Sequence, residues 1–433
     1  KIRGVESNGM ICAEDELGLG TSHDGILVLP ADTMIGTAAA EYFELKSMEV
    51  MEIGLTPNRT DAMSHLGVAR ELSAVMKQRG MDHRFHLPFS KSTELFPTLT
   101  HAPTIDLESQ CTLYSMTRLT IQPGCETPDW MKRNLEAIGL KCIHPVVDIT
   151  NWVQHECGQP SHAFDADQLN GNIEVRLAHD QELLTTLDGL ERKCSSQDVV
   201  IADTDQALCL AGVMGGKASG VSSNTKHVLL ECALFDAVRV RKTSKFHGIH
   251  SDSSFRFERG VDPEMLELAQ DRLIQLLQEI CRAEVIGRSI HNPHPFTRNI
   301  VTFRPWKARL ILGKEIADEV MQTILTSLDF EIQDLTSEGW NIAVPGCRVD
   351  VTREIDIIEE ILRIYSFDEI APSSKFTFSW KSGHSSHFKT QHAIIQNLVA
   401  QGCNEIQSLS LTKESYPQSE NRVPVQILNP LSS

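Results

Sequence analysis

Three groups of residues combine side-chain type and spacing in ways that could do chemistry. The first is the acidic run RVDVTREIDIIEE at 348–360. On a helix, Asp356 shares a face with Glu359 and Glu360, three and four residues on, and Asp350 lies just ahead, able to fold back toward them. Carboxylates crowded on one face repel each other unless a cation sits among them, and hard oxygen donors of this kind suit Mg2+ or Ca2+. A solvated acidic face is the alternative, since Asp and Glu also favour the first turn of a helix.

The second group is VVDITNW at 146–152 with GQPSHAFD at 158–165. The apolar run reads as a strand delivering Thr150 and Asn151, and a Gly-Pro turn would then present His162. A hydroxyl, an amide and an imidazole together can bind a small polar ligand or orient a water; a structural histidine after a turn is the competing reading. The third is LAGVMGG at 210–216, whose small residues let a ligand approach backbone N–H groups. No Lys-Ser/Thr follows, so it is not a P-loop. Downstream, Glu231 lies in the strand-like run 228–233, and a carboxylate in an apolar strand must be paired or functional.

Other signals read as structural. His247/His250 and His291/His294 have metal-like spacing but no consistent companions, so they read as loop residues. The run 251–260 alternates in polarity and reads as a strand with paired charges.

These groups need elements to hold them. Residues 1–37 read as strands and turns, and 48–55 as a strand ending in Thr56-Pro57-Asn58. A helix follows with Thr60 as N-cap and Gly80 as its left-handed end. Residues 86–104 read as a linker. Thr127-Pro128 opens a short helix, strands fall near 172–178 and 198–202, and Asp262-Pro263 caps the longest helix. A third body, 298–371, holds helices near 316–328 and 354–364 around a strand pair. A further helix begins near 385. The pattern is α+β in several domains, as 433 residues lead one to expect.

Net charge is −18, which argues against a general nucleic-acid binder; RNA contact would use a local patch or another subunit. The 11 cysteines include no C-x-x-C pair, and scattered thiols suit the cytoplasm. No stretch is apolar over the ~20 residues of a membrane helix. Lys1 and the turn-like end at Ser433 read as cuts through something larger.

Seven collinear segments resemble one family, the bacterial phenylalanyl-tRNA synthetase β subunit: 4–19 (GVESNGMICAEDELGL), 55–74, 144–153, 158–165, 210–216, 251–263 and 348–370, with NPLSS at 429–433 besides. The resemblance implies the tail of an OB-fold domain (1–37), the rest of an N-terminal domain (38–85) and a B3/B4 editing module (86–292). It further implies a helix-turn-helix-like, winged-helix B5 domain (298–371) and the start of a catalytic-like synthetase domain (385–433). It implies partnership with an α subunit in an (αβ)2 tetramer and with tRNA(Phe), but not with DNA or a membrane. ATP would be a substrate of the holoenzyme, whose α subunit charges tRNA with phenylalanine.

In the editing pocket, Glu231 with Ala211 and Gly212 would recognise the phenol of a mischarged tyrosine, while His162, Thr150 and Asn151 hold the ester and the water. Asp350, Asp356, Glu359 and Glu360 match Mg2+ positions shared with the α subunit. Ser161 and Trp152 stand where the family usually has Leu and Tyr. A non-catalytic scaffold that positions tRNA and the α subunit is the other reading.

Overall fold

The computed structural model describes residues 6, 9, 11–20, 22–43, 48–91, 96–336, 338–372, 386–409, 411, 425, 427 and 428. The chain divides into two units, Lys1–Ile370 and Ala371–Ser433. The second contributes one described helix, Ser386–Ala400; the NPLSS segment lies outside the described residues.

At the centre of the first unit is a four-stranded antiparallel sheet. His227–Leu234 runs between Leu113–Thr120 and Ser161–Asp165, and Glu284–His291 lies at the edge beyond Leu113–Thr120. Successive side chains of a strand point to opposite faces, so the two faces of His227–Leu234 have different fates. Val228, Leu230 and Cys232 join a core with Val146, Ile149 and Val153 of helix Pro145–Cys157 and with Leu273 and Leu277 of helix Leu266–Cys281. Leu229 and Ala233 join a second core with Tyr114, Met116, Phe164 and Cys209. That core leads to a five-stranded sheet containing Thr104–Ile105, Glu174–Leu177, Val199–Ala202, Ala207–Leu210 and Met214–Gly215.

The last body of this unit is a three-stranded sheet in the order Ile300–Phe303, Trp340–Ala343, Glu331–Leu335. Helices Pro305–Leu312, Asp318–Ser327 and Glu354–Tyr365 cover it around Phe303, Ile324, Trp340, Ile357 and Ile361. Ala74, on helix His65–Gln78, belongs to the same core. The first strand and first helix of this body escaped the sequence reading.

Several expected elements differ. The 146–152 run is a helix: Pro145 occupies the first turn, His144 Nδ1 accepts the Val146 N–H at 3.3 Å, and Gly158 closes the far end at φ 87°. Its buried positions 146, 149, 153 and 157 follow the helical repeat rather than a two-residue one. Residues 251–260 contain helix Asp252–Phe257, because Ser251 and Ser254 form a reciprocal capping box. Ser64, not Thr60, caps helix His65–Gln78, accepting the Gly67 N–H at 3.0 Å. Gly67 is required there, since a Cβ would meet the Asp61 carbonyl oxygen at 1.7 Å. The longest described helix starts at Leu266 rather than at Pro263, after an Asp262 turn that holds the Glu264 N–H. His162 lies within strand Ser161–Asp165 rather than on the turn before it. The described residues of 1–37 and the run 48–55 contain no strand.

Candidate functional site

Glu231 and His162 are direct cross-strand partners, with Met116 opposite Glu231 on its other side. Opposed residues project on one face with Cβ atoms about 5 Å apart, so both side chains point into the space between the two sheets. Glu231 is 5% exposed, and burial alone pushes its carboxyl up to about 8. Burial lowers the part-buried His162 imidazole to about 4. Near neutral pH the pair is therefore a carboxylic acid beside an uncharged imidazole.

Neither group is satisfied. Glu231 Oε1 and His162 Nε2 are sealed from solvent and have no hydrogen-bond partner among the described residues. Buried polar atoms are usually paired within the fold; among the described residues thirteen buried side-chain atoms are not, and these two lie on directly opposed residues. Tyr114 Oη is a third. It faces the same core, and the Glu231 charge is one of the causes holding its hydroxyl well above its ordinary value, after burial. Sequence reasoning missed Tyr114: its alternation was legible, but its register against Glu231 was not.

The 210–216 segment forms the facing wall. Ala211 is buried, its N–H donating to the Val199 carbonyl. Gly212 has φ 68°, and a Cβ there would meet Phe235 and Phe257 at 3.0 Å. Ser253 Oγ donates to the Gly212 carbonyl at 3.2 Å, and Ser251 Oγ to that of Val213 at 2.6 Å. Gly215 lies against the catalytic candidate, for a Cβ on it would be 2.5 Å from His162 Cε1. The His162 ring also meets Phe164 edge-on, centroids 4.5 Å apart.

Thr150 and Asn151 sit on helix Pro145–Cys157, whose apolar side packs under the Leu230 face. The Thr150 hydroxyl donates to the Val147 carbonyl at 2.7 Å. Among the described residues, no hydrogen bond joins either residue to His162 or Glu231.

The acidic residues converge only in part, Asp350 and Glu360 meeting at one arginine. Arg348 grips both Asp350 and the buried Glu360, Arg363 bridges Glu360 and Glu71, and Asn58 donates to Asp350 at 3.0 Å. Asp356 is bound by Arg353 and by the N–H groups of Thr352 and Arg353. Glu359 alone of the four is exposed. Among the described residues no three His, Cys, Asp or Glu are arranged to hold a metal. As placed, Asp350, Asp356 and Glu360 are neutralised by arginines, and the four carboxylates do not by themselves fit a Mg2+ ion.

Comparison with known proteins finds a B3/4 domain at residues 110–282 and a tRNA synthetase B5 domain at 301–367. An α+β chain with that pair of domains, in that order, falls in the class of proteins built on B3/4 and tRNA synthetase B5 domains. More narrowly, the chain belongs to the phenylalanine–tRNA ligase β subunit family. It is 40% identical over 456 residues to the β subunit of that ligase from Bacteroides fragilis (strain YCH46), covering 100% of this chain and 54% of the relative. The Porphyromonas gingivalis (strain ATCC BAA-308 / W83) β subunit is 38% identical over 443 residues, with the same coverage. The chain thus spans about half the length of the curated relatives it matches. A solved N-terminal fragment of the phenylalanyl-tRNA synthetase β subunit from Pyrococcus horikoshii covers 71% of this chain and 84% of its own, at 14% identity and a TM-score of 0.37. No described helix is long and apolar enough to cross a membrane.

Proposed function

We propose that this chain belongs to a phenylalanine–tRNA ligase and that its Glu231–His162 pocket hydrolyses tyrosine wrongly esterified to tRNA(Phe). The observation that carries the reading is the pair of unsatisfied polar atoms on opposed residues, with Tyr114 Oη, within the core between the two sheets. Tyrosine exceeds phenylalanine by one hydroxyl. A protonated Glu231 can accept from that phenol through its carbonyl oxygen or donate to it through its own O–H. A site built around such a hydrogen bond rejects the analogue lacking the hydroxyl strongly, because its polar group would then remain unpaired.

His162 stays neutral across the working pH range and offers Nε2 as an acceptor that can hold the attacking water. The 211–216 backbone, kept in place by Ser251 and Ser253, closes the pocket. The family resemblance adds Thr150 and Asn151 to the ester-binding end, on a helix that packs against the other face of strand His227–Leu234. The wider reading places charging, with ATP, on an α subunit in a cytoplasmic (αβ)2 tetramer. It assigns an OB-fold to the first 37 residues, a winged helix to the B5 domain and a catalytic-like domain from residue 385. Mg2+ near Glu359 would need donors from the α subunit.

The test is deacylation of Tyr-tRNA(Phe) by full-length β with α, with Phe-tRNA(Phe) as control. Tyrosine-selective hydrolysis is expected. No hydrolysis by a complex that still charges phenylalanine would replace this reading with a scaffold role.

A further inference from the structure

Hydrolysis in that pocket requires an RNA end to reach it, on a chain whose net charge is −18. One helix departs from that charge. Ala237–His247 carries Arg239, Arg241, Lys242 and Lys245 and no acidic residue. Val240, Thr243 and Ser244 are buried. The opposite stripe, spaced three and four residues apart, is Val238, Arg241, Lys242, Lys245 and Phe246, all exposed. Phe246 is 65% exposed, its ring edge-on to His247 with centroids 4.9 Å apart. Among the described residues Arg241, Lys242 and Lys245 have no ion-pair partner, whereas Arg192, Arg256 and Arg259 nearby are paired with carboxylates.

The stripe is tied to the pocket by packing. On the inner side of the helix, Val240 lies beside Phe235 and Phe257 around Gly212. The same 211–216 segment places Gly215 against His162. The cations thus line the outside of the wall whose inside faces the candidate catalytic pair.

We propose that the outward face of helix Ala237–His247 is the docking surface for the single-stranded 3′ end of an aminoacylated RNA. Arg241, Lys242 and Lys245 take its phosphates, and Phe246 offers a stacking platform for one base. Cations with an interleaved aromatic are what single-stranded nucleic acid needs, and stacking is tolerant of sequence. This rests on the reading of the pocket as an aminoacyl-RNA hydrolase.

The experiment uses full-length β in complex with α, comparing wild type with R241A/K242A/K245A and with F246A. Deacylation of Tyr-tRNA(Phe) is followed across a salt series, and phenylalanylation is measured on the same preparations. The triple variant should raise the deacylation KM for RNA on the order of tenfold at unchanged kcat. It should also flatten the dependence of log(kcat/KM) on log salt by about two, three lost contacts at ~0.7 each. F246A should raise KM without changing the slope, and phenylalanylation should be unaffected. Hydrolysing wild type with an unmoved KM and slope in the triple variant overturns the docking surface and leaves the pocket standing. An equal rise in the phenylalanylation KM overturns the 3′-end assignment in favour of a grip on the RNA body. Failure of the triple variant to assemble with α overturns it in favour of a protein partner. Absence of hydrolysis in wild type removes the pocket reading, and this surface with it.

Discussion

Glu231 and His162 oppose each other across adjacent antiparallel strands, and each presents a buried polar atom that nothing described in the fold satisfies. A structural carboxylate in that strand would have found an arginine, as Glu360 finds Arg348. The proposed function fills these two positions with a hydroxyl and a water.

Glu231 should make the protein less stable as pH rises. Its folded carboxyl titrates at about 8 against an ordinary 4.5, so between those values the folded state holds a proton the unfolded state has lost. The contribution is fully present below the unfolded value and disappears as pH climbs through about 8. The local slope is about 1.4 kcal/mol per pH unit. His162 has the opposite sign, its folded value of about 4 favouring the native state as pH rises toward 6.5. Above pH ~6.5 only the Glu231 slope of this pair remains. Urea titrations of wild type and Glu231→Gln from pH 6.5 to 8 isolate it: wild type should lose stability relative to the variant. Parallel curves would show that Glu231 is already ionised.

Gly215→Ala should impair hydrolysis without unfolding the chain. The added Cβ would lie 2.5 Å from His162 Cε1, so the ring must move. Overpacking of this kind costs about 1–3 kcal/mol, and displacement of about 1 Å at a reacting group can cost on the order of a hundredfold in rate. Unchanged kcat with a folded variant would place His162 outside the reaction.

Arg348 should matter for stability far more than for hydrolysis. It is buried between Glu360 and Asp350, and Arg348→Ala leaves the buried Glu360 with Arg363 alone, a loss below the about 3–5 kcal/mol of a fully broken buried pair. Glu360→Gln in the same background should recover part of that loss. Because arginines already hold these carboxylates, adding Mg2+ to this chain alone should leave its Tm unchanged. A Mg2+-dependent rise would show that the ion displaces them.

What could be read from the sequence depended on how local each signal was. Two of the three helices of the B5 body were visible, near 316–328 and 354–364, and in the latter Ile358 and Ile361 mark a buried stripe without reference to any other segment; helix Pro305–Leu312 was not. Glu231 stood out for the same reason, a charge among Val228, Leu229 and Leu230. The VVDIT run was misread because β-branched residues favour strands, while the decisive signals were His144-Pro145 before it and Gly158 after it. Pairing of Glu231 with His162 and Met116, which brings Tyr114 to the same face, depends on strand register between segments far apart in the chain, which no local pattern encodes. The placement of the acidic residues likewise depends on Asn58, Arg59 and Glu71, from the other end of the unit.

The central claim is that Glu231 reads the phenol. The direct measurement is the ratio of deacylation kcat/KM for Tyr-tRNA(Phe) over Phe-tRNA(Phe), in wild type and Glu231→Ala, using full-length β with α. A strong tyrosine preference in wild type should collapse toward unity in the variant, mainly through the tyrosyl substrate. A preserved preference in a folded Glu231→Ala protein would contradict the account.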